Sequence, residues 1–340
     1  MTRPALRVPE PRQYSRILSI GGVRGERVVP NSEIIGPIDS SDEWIQQRTG
    51  IVTRRYAQAD VSVADMAEQA ARIAMDDAGL TGADIGLVIV STVTHFQQTP
   101  SVAAIIADRL GITPSPAFDA SAACAGYCYA IAQADALVRA GTVEHVLVVG
   151  VEKMSDYIDP TDRTISFLLG DGAGAAIVGP SDTPGISRTL WGSDGSRRHL
   201  IRQTDSFLEY RRALAAGAEL PEWPTLRQEG PSVYKWVVFQ MTEVALQTIT
   251  EAGLSPQDID VFIPHQANMR IVDHMVKKLG LRDDVVVADD IKETGNTSAA
   301  SIPLAAERLL REGRATSGDV ALQIGFGAGL VYAAQVVVLP

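Results

Sequence analysis

The residues most able to do chemistry lie in the stretch Phe118 to Val138, FDASAACAGYCYAIAQADALV. An extended FDA segment runs into small residues and a helix-forming run begins at about Ala125, so Cys124 stands at the mouth of a helix. Unpaired backbone N–H groups and the positive end of the helix dipole collect there and favour thiolate over thiol. A dipole contribution of about 1 kcal/mol lowers the thiol by somewhat under one unit from about 8.5, so a cationic or hydrogen-bonding partner is still required. Ala122, Ala123, Ala125 and Gly126 let a second backbone or a substrate come close, which favours a nucleophile over a packing cysteine. Cys128, one turn on, reads as a buried small hydrophobe. With two cysteines spaced C-x-x-x-C, neither a zinc site nor a thioredoxin-type pair is expected, and no metal ligand is assigned.

The partners of such a sulfur emerge from an internal duplication. MDDAGLTGADIGLVIV (75–90) is echoed by ITEAGLSPQDIDVFIP (249–264), DRLGI (108–112) by KKLGL (277–281), and HVLVVG (145–150) by DVALQIG (319–325), at offsets of 174, 169 and 175 residues. A shared order and offset marks a repeated unit. Moving Cys124 forward by about 172 positions lands on Asn296 in TGNTSAASIP, another small-residue run that opens a helix. The two helix mouths should then face one another across a pseudo-two-fold axis. The strand end near Val90 is echoed by Ile263-Pro264-His265, which puts an imidazole at a strand end, a usual ligand position in α/β sheets. Alone, His265 is equally a satisfied core histidine, the reading given to His95, His145, His199 and His274, and Asn296 is equally a helix cap. The combination of sulfur, imidazole and carboxamide is what singles them out.

These residues need a scaffold. Ile17 to Val29 reads as a strand and bend, Ser41 to Arg48 as a short helix carrying Trp44, and Ser62 to Leu80 as an amphipathic helix opened by a Ser62–Asp65 capping box. Leu87 to Thr92 is an apolar run suited to a sheet covered on both faces; a helix over Ser101 to Leu110 and strands over His145 to Gly150 and Ala175 to Gly179 follow. Gly170–Gly174 and Gly325–Gly329 look like nucleotide loops but lead into strand-like residues, so close backbone approach, with N–H groups offered to an oxyanion, is the expected use. Residues 192–230, polar and aperiodic, read as a surface excursion or lid.

The fold class is α/β, with residues 1–180 carrying the sulfur and 181–340 the imidazole and carboxamide. At 340 residues, 46% hydrophobic and 21% charged, the composition is that of an ordinary globular protein. No stretch reaches the roughly 18 apolar residues that span a bilayer and the N-terminus has no apolar signal region, so a cytoplasmic location without membrane insertion is expected. A net charge of −11 disfavours nucleic acid and anionic membranes, leaving an acidic partner to dock on a local basic patch.

DSSDEWIQQRTGI (39–51), SAACAGYCYA around Cys124, DPTDR (159–163), GDGAGAA (170–176), IPHQANMRI (263–271), GNTSAASIP (295–303) and the terminal GFGAG occur in one order from about Ile17 to the C-terminus. Together they resemble the β-ketoacyl-acyl-carrier-protein synthase III family. The resemblance implies a thiolase-like fold of duplicated α/β halves in five αβαβα layers, assembled as a homodimer. It implies decarboxylative Claisen condensation of an acyl-CoA with malonyl-acyl carrier protein, starting fatty-acid or polyketide chains with no cofactor beyond those substrates. Cys124 takes the acyl group, His265 and Asn296 donate to the enolate, and the N–H groups of Cys124 and Ala328 form the oxyanion hole. The same resemblance puts Trp44, Arg48, Arg163, Gly230, Tyr234, Asn268 and Phe326 along the CoA and phosphopantetheine channel, where Trp and Arg suit adenine stacking and phosphate pairing. Lys235, Arg270, Lys277 and Lys278 fall where the family has its channel mouth for an acidic carrier protein, although Lys277 and Lys278 read equally as a solvated helix face.

Two positions depart from the family pattern. Thr99, before Pro100, stands where acetyl-selective members carry a bulky aromatic in the dimer-interface loop, so with Met154 and Leu169 it implies a roomier acyl pocket for branched or longer primers. Ala328 replaces the second glycine of the terminal loop and keeps its backbone donor. An acyltransferase delivering to a hydroxyl or amine keeps the fold; a Cys-His-Asn thiol hydrolase and a non-catalytic acyl-CoA binding module are the readings from other classes.

Overall fold

Runs of consecutive apolar residues become strands buried on both faces. The computed structural model describes residues 9–219 and 222–340 and contains two five-stranded sheets. The first comprises Tyr14–Arg24 (β1), Leu87–Ser91 (β2), Ala117–Ala120 (β3), Val146–Lys153 (β4) and Asp171–Ser181 (β5), in the order β1-β5-β4-β2-β3. The second comprises Leu190–Ser193 (β6), Val261–Pro264 (β7), Val286–Val287 (β8), Val320–Gly327 (β9) and Val331–Val338 (β10), in the order β6-β10-β9-β7-β8. Raising each number of the first order by five gives the second. Directions match too: β2 is parallel to β3 and β4, β7 is parallel to β8 and β9, and the other pairs are antiparallel. The sequence echoes are thus the trace of a repeated topology.

Six helices complete the layers: Val63–Asp77 (α1), Val102–Arg109 (α2), Gly126–Arg139 (α3), Thr242–Glu251 (α4), Met269–Leu279 (α5) and Ser301–Arg311 (α6). α3 and α6 lie between the sheets, where Ile131 and Val138 of one and Ile302 and Leu309 of the other share a core with Ile89 and Val148 of the first sheet and Ile263 and Val337 of the second. A helix so enclosed has hardly any face for water, which is why α3 is apolar almost all round. α1 and α2 cover the outer face of the first sheet, α4 and α5 that of the second. The stack is αβαβα. Among the described residues no helix is long and apolar enough to cross a membrane.

Local signals set the helix starts. Ser62 and Asp65 form the expected capping box, and the Ser101 and Ser41 hydroxyls accept from Ala104 N and Trp44 N, each at 3.2 Å. Three expectations need correction. The glycines of 170–174 are no loop: Gly172 and Gly174 lie inside β5, where an added Cβ would come within 2.8 Å of Leu304 and 2.6 Å of Pro303 on α6. Gly325 and Gly327 likewise belong to β9. Residues 192–230 are not featureless, for Ile201–Gln203 pairs with Leu226–Gln228 and a capping box of Ser206 and Glu209 opens the helix Phe207–Ala215. Phe96, Phe207, Tyr210 and Trp223 form an aromatic cluster, edge to face except for the tilted pair Phe207–Trp223, and tie this excursion to the loop after β2. His95, His145, His199 and His274 are not core residues either; they are half-buried or exposed, and among the five only His265 is buried.

One ion-pair cluster ties the N-terminal strand to the C-terminal half. Arg24 of β1 reaches Asp290 at 3.0 Å and Glu307 at 2.7 Å, and Asp290, which is buried, also meets Arg308 at 3.4 Å. Removing one partner of a buried pair costs about 3–5 kcal/mol because the other charge is stranded. Since Arg308 remains, Arg24→Ala is expected near the lower end, a loss of about 3 kcal/mol in urea unfolding. A loss under about 1 kcal/mol would mean the cluster contributes no more than a surface pair.

Candidate active site

Both central helices open in the same way. A single 3-10 turn, Ala123–Ala125, leads into α3 and another, Ser298–Ala300, into α6. Each begins on a non-glycine residue with positive φ, +44° at Ala123 and +48° at Ser298. Such backbone is costly and persists only where its surroundings enforce it. This pairing corrects the sequence estimate, because Gly126 matches Ser301 at an offset of 175, so the image of Cys124 is Ala299 and not Asn296. Asn296 stands just ahead of the turn and still reaches the same cavity.

Strand β9 passes hard against Cys124. A Cβ on Gly327 would lie 2.8 Å from Cys124 N and 3.2 Å from its Sγ, and one on Gly325 would lie 2.8 Å from Ala125 Cα. Glycine is therefore required by contact rather than by turn geometry. Cys124 opens onto the cavity, yet burial pushes its thiol up to about 12; the Ser298 hydroxyl opposes that rise and the Glu152 carboxylate adds to it. The expected preference for thiolate does not hold at rest. Desolvation of the charged form outweighs a helix-end contribution of about 1 kcal/mol. Cys128 is fully buried, as its structural reading requires.

His265 follows β7 directly. Its backbone N–H donates to Ile324 O at 2.8 Å, its ring meets Phe326 edge to face, and its Nδ1 lies 2.7 Å from Ser301 Oγ. Ser301 Oγ accepts from Gln266 N at 3.3 Å, leaving its own proton for Nδ1. That assignment puts the imidazole proton on Nε2. Burial pushes the imidazolium down to about 3, so the ring is neutral at physiological pH. Asn296 is clamped through its backbone, N–H to Leu168 O at 2.7 Å and C=O from Gly170 N at 3.0 Å, while its Oδ1 accepts from Ser298 N at 2.8 Å. The carboxamide NH2 is left as the free donor. A thiol thus shares its cavity with two uncharged hydrogen-bond donors.

Cys124, His265 and Asn296 line one cavity of about 510 Å³. Trp44, Arg48, Gly230, Tyr234, Asn268 and Phe326 line it as well, and so do Met154, Leu169 and Ala328. The 192–230 excursion contributes Ile201, Arg202 and Gln203 to the wall. Two guanidinium groups, those of Arg48 and Arg163, each lie 5.7 Å from the Trp44 ring centre, with Phe167 edge-on at 5.2 Å. Arg163 itself is outside the cavity wall. Arg270 lines the cavity and lies 5.7 Å over Tyr234, and Lys235 is exposed on the adjoining helix Gly230–Trp236. Lys277 and Lys278 occupy the last turn of α5, away from its Asn268 end, where cations also suit the helix dipole. Thr99 is exposed on the loop after β2 and is not among the residues that line the cavity of the single chain.

Sequence reasoning missed Glu152, Ser298 and Ser301. The signal for Glu152 was present, a carboxylate near the end of the otherwise apolar run VLVVGVEK that forms β4. Ser298 and Ser301 carried no such signal, since hydroxyls are ordinary at helix starts.

Duplicated halves in five layers, with a cysteine at one central helix mouth and a histidine and asparagine supplied by the other half, define an acyl-transferring enzyme of the thiolase type. The family description 3-oxoacyl-[acyl-carrier-protein (ACP)] synthase III matches residues 118–195, and that of its C-terminal part matches residues 249–339. The β-ketoacyl-[acyl-carrier-protein] synthase III of Kocuria rhizophila is 54% identical over 97% of this chain and 98% of its own, and that of Streptomyces glaucescens 55% identical over 96% and 97%. Among solved structures, the priming β-ketosynthase of the R1128 polyketide pathway superposes with a TM-score of 0.94 at 46% identity over 99% of both chains. The 3-oxoacyl-[acyl-carrier-protein] synthase III of Aquifex aeolicus superposes with 0.87 at 34% identity, over 95% of this chain and 99% of that one. The chain belongs to the β-ketoacyl-acyl-carrier-protein synthase III family.

The neutral imidazole has a measurable signature. A histidine titrating near 3 when folded and near 6.5 when unfolded binds more protons unfolded, so stability is lost as pH falls through 6.5. Between pH 7 and 5 this withdraws about 2 kcal/mol. Glu152, pushed up to about 7, acts in the opposite sense in that window, so the comparison is between wild type and His265→Gln. Urea unfolding should show the variant gaining about 2 kcal/mol on wild type from pH 7 to pH 5. No relative movement would mean that burial does not lower the His265 pKa and that the ring titrates alike in the folded and unfolded protein.

Proposed function

We propose that the protein condenses an acyl-CoA primer with malonyl-acyl carrier protein to give 3-oxoacyl-acyl carrier protein, CoA and CO2. The observation that carries this reading is the pair of uncharged donors, His265 and Asn296, on the same cavity as the Cys124 sulfur. In acylation the Cys124 sulfur bonds to the thioester carbon, the bond to the CoA sulfur breaks, and the thiol proton leaves on CoA. In condensation malonyl-acyl carrier protein loses CO2, and its enolate oxygen receives hydrogen bonds from His265 Nε2 and the Asn296 carboxamide. The carbanion attacks the acyl carbon, and the sulfur departs and takes up a proton from solvent. Neutral donors suit this step because they stabilise the developing charge without protonating the nucleophilic carbon. The N–H groups of Cys124 and Ala328 serve the tetrahedral oxyanion, a role supported by the contact of Gly327 with Cys124.

Trp44, Arg48, Arg163, Gly230, Tyr234, Asn268 and Phe326 hold the CoA and phosphopantetheine arm. The cation–π pairs at Trp44 support a face that stacks a purine and binds phosphate. Arg270 and Lys235 receive the acidic carrier protein, with Lys277 and Lys278 further out on α5. The protein functions as a homodimer in the cytoplasm. Edge strand β3, with Phe118 exposed, supports pairing with a second copy, which brings the Thr99 loop toward the acyl end of the partner's cavity. Priming of a polyketide chain is the second reading, favoured by the 0.94 superposition on the R1128 priming ketosynthase.

Incubation with acyl-CoA should leave a mass adduct on the native enzyme and none on Cys124→Ser, while Asn296→Ala should acylate normally yet release CO2 from malonyl-carrier protein at least about a hundredfold more slowly. Acylation-defective Asn296→Ala with intact decarboxylation would reverse the assignment. Across an acyl-CoA panel, isobutyryl- and longer primers should equal or exceed acetyl-CoA in kcat/KM. A strong acetyl preference refutes the roomier pocket of Met154, Leu169 and Thr99.

A further inference from the structure

Glu152, near the end of β4, is fully buried and takes no part in the steps above. Its two oxygens serve different elements. Oε2 accepts from Thr92 Oγ1 at 3.1 Å, Val93 N at 3.0 Å and Thr94 Oγ1 at 2.7 Å, on the loop leaving β2, and three donors on one oxygen fix the carboxyl group in place. Oε1 then accepts from Ser298 Oγ at 3.1 Å, in the turn that opens α6. Ser298 has a φ of +48°, a left-handed setting that a non-glycine residue keeps only where its surroundings hold it. The neighbouring Thr297 hydroxyl is buried without a partner among the described residues and adds no hold of its own.

What this turn holds is Asn296. The Asn296 backbone is clamped to Leu168 and Gly170, but that leaves the side chain free to rotate. Among the described residues its carboxamide makes one hydrogen bond, Oδ1 accepting from Ser298 N at 2.8 Å. That N–H belongs to the same left-handed residue that Glu152 grips through the hydroxyl. An amide pinned through its oxygen presents its NH2 in one direction, whereas a released one samples a broad range of torsions.

We propose that Glu152 is a positioning residue for Asn296: by holding the Ser298 hydroxyl it keeps the left-handed turn whose N–H pins Asn296 Oδ1, and so keeps the carboxamide NH2 a fixed donor. The inference rests on the role of Asn296 proposed above. It also accounts for a carboxyl group at this point. A glutamine offers one acceptor oxygen, enough for the loop leaving β2 or for Ser298 but not for both.

The test compares the native enzyme with Glu152→Gln, Ser298→Ala, Ser298→Gly and the double variant Glu152→Gln/Ser298→Gly. Two rates are read in each protein, formation of the acyl adduct on Cys124 by intact mass and release of CO2 from malonyl-carrier protein. Their ratio removes any general loss of folded enzyme. In Glu152→Gln and Ser298→Ala the ratio of CO2 release to acylation should fall about fivefold, the worth of one intramolecular hydrogen bond. Ser298→Gly also lacks the hydroxyl, but glycine takes positive φ unaided, so its ratio should lie about threefold above that of Ser298→Ala. Adding Glu152→Gln to Ser298→Gly should cost nothing further. Equal falls in the Ala and Gly variants mean that the hydroxyl itself matters, and a full further fall in the double variant means that Glu152 acts elsewhere; either result overturns the proposal, as does no fall at all. If Glu152→Gln does not fold, the two Ser298 variants decide. A crystal structure of Ser298→Ala needs no substrate: Asn296 Oδ1 released from the backbone N of position 298 supports the proposal, and a bond kept near 2.8 Å overturns it. Should Asn296→Ala release CO2 at the native ratio, the role assigned to Asn296 has failed, and the crystal structure still decides the positioning.

Discussion

The rest of the site answers to the dryness of the place where the two central helices begin. α3 and α6 start between two sheets, and a polar atom there that finds no partner costs roughly 1–3 kcal/mol. Each helix mouth is accordingly tied to its neighbour. Ser301 satisfies His265, Ser298 N–H satisfies Asn296, and Glu152 gathers four donors from two elements. The positive φ values at Ala123 and Ser298 belong to the same arrangement, since the first turn packs against β9 at Gly325 and Gly327 and the second against β4 at Gly150, where an added Cβ would come within 2.3 Å of Ala299 O.

The scaffold is symmetric and the chemistry is not. Ser91 ends β2 where His265 follows β7, and Gly126 opens α3 where Ser301 opens α6. In one half the small partner belongs to the helix: a Cβ on Gly126 would come within 1.7 Å of Ser91 Oγ. In the other half the larger imidazole sits at the strand end, and the helix supplies a hydroxyl to orient it. The same exchange recurs at the ends of the paired strands, Glu152 on β4 against Gly327 on β9. A duplicated frame thus places two kinds of group around one cavity, a thiol from one copy and an imidazole and a carboxamide from the other.

How much of this was legible in the sequence follows from how each feature is encoded. Helix caps such as Ser62 with Asp65 are local and were readable, as were strands that are almost wholly apolar, and the duplication followed from spaced echoes of AGL and LG punctuation, although the strand order did not. Cys124, His265 and Asn296 stood out because polar or reactive side chains at element ends have few structural uses. The state of the sulfur was not legible, because it depends on desolvation by residues from several distant strands, and helix-end reasoning alone gave the wrong sign. Ser298 was invisible because its role comes from contact with Glu152, 146 positions away. Glycines in β5 and β9 were mistaken for loops since their cause, α6 and Cys124 pressing on the strand, is tertiary.

The three titratable groups at the site are pushed in directions that share one sense. Burial drives the Cys124 thiol up, the His265 imidazolium down and the Glu152 carboxyl up, each toward the uncharged form. A site that suppresses charge in its own groups disfavours a charged substrate group even more, unless the chemistry removes that charge. Decarboxylation does so: the malonyl carboxylate departs as CO2, and the charge passes to a delocalised enolate, the species that the proposed roles of His265 and Asn296 have them hold. An imidazolium in place of the neutral ring would bind the carboxylate itself and stabilise the ground state along with the transition state, gaining affinity without rate. Deep burial of His265, with only a serine hydroxyl beside Nδ1, is thus the feature that directs this cavity toward condensation rather than toward holding its substrate.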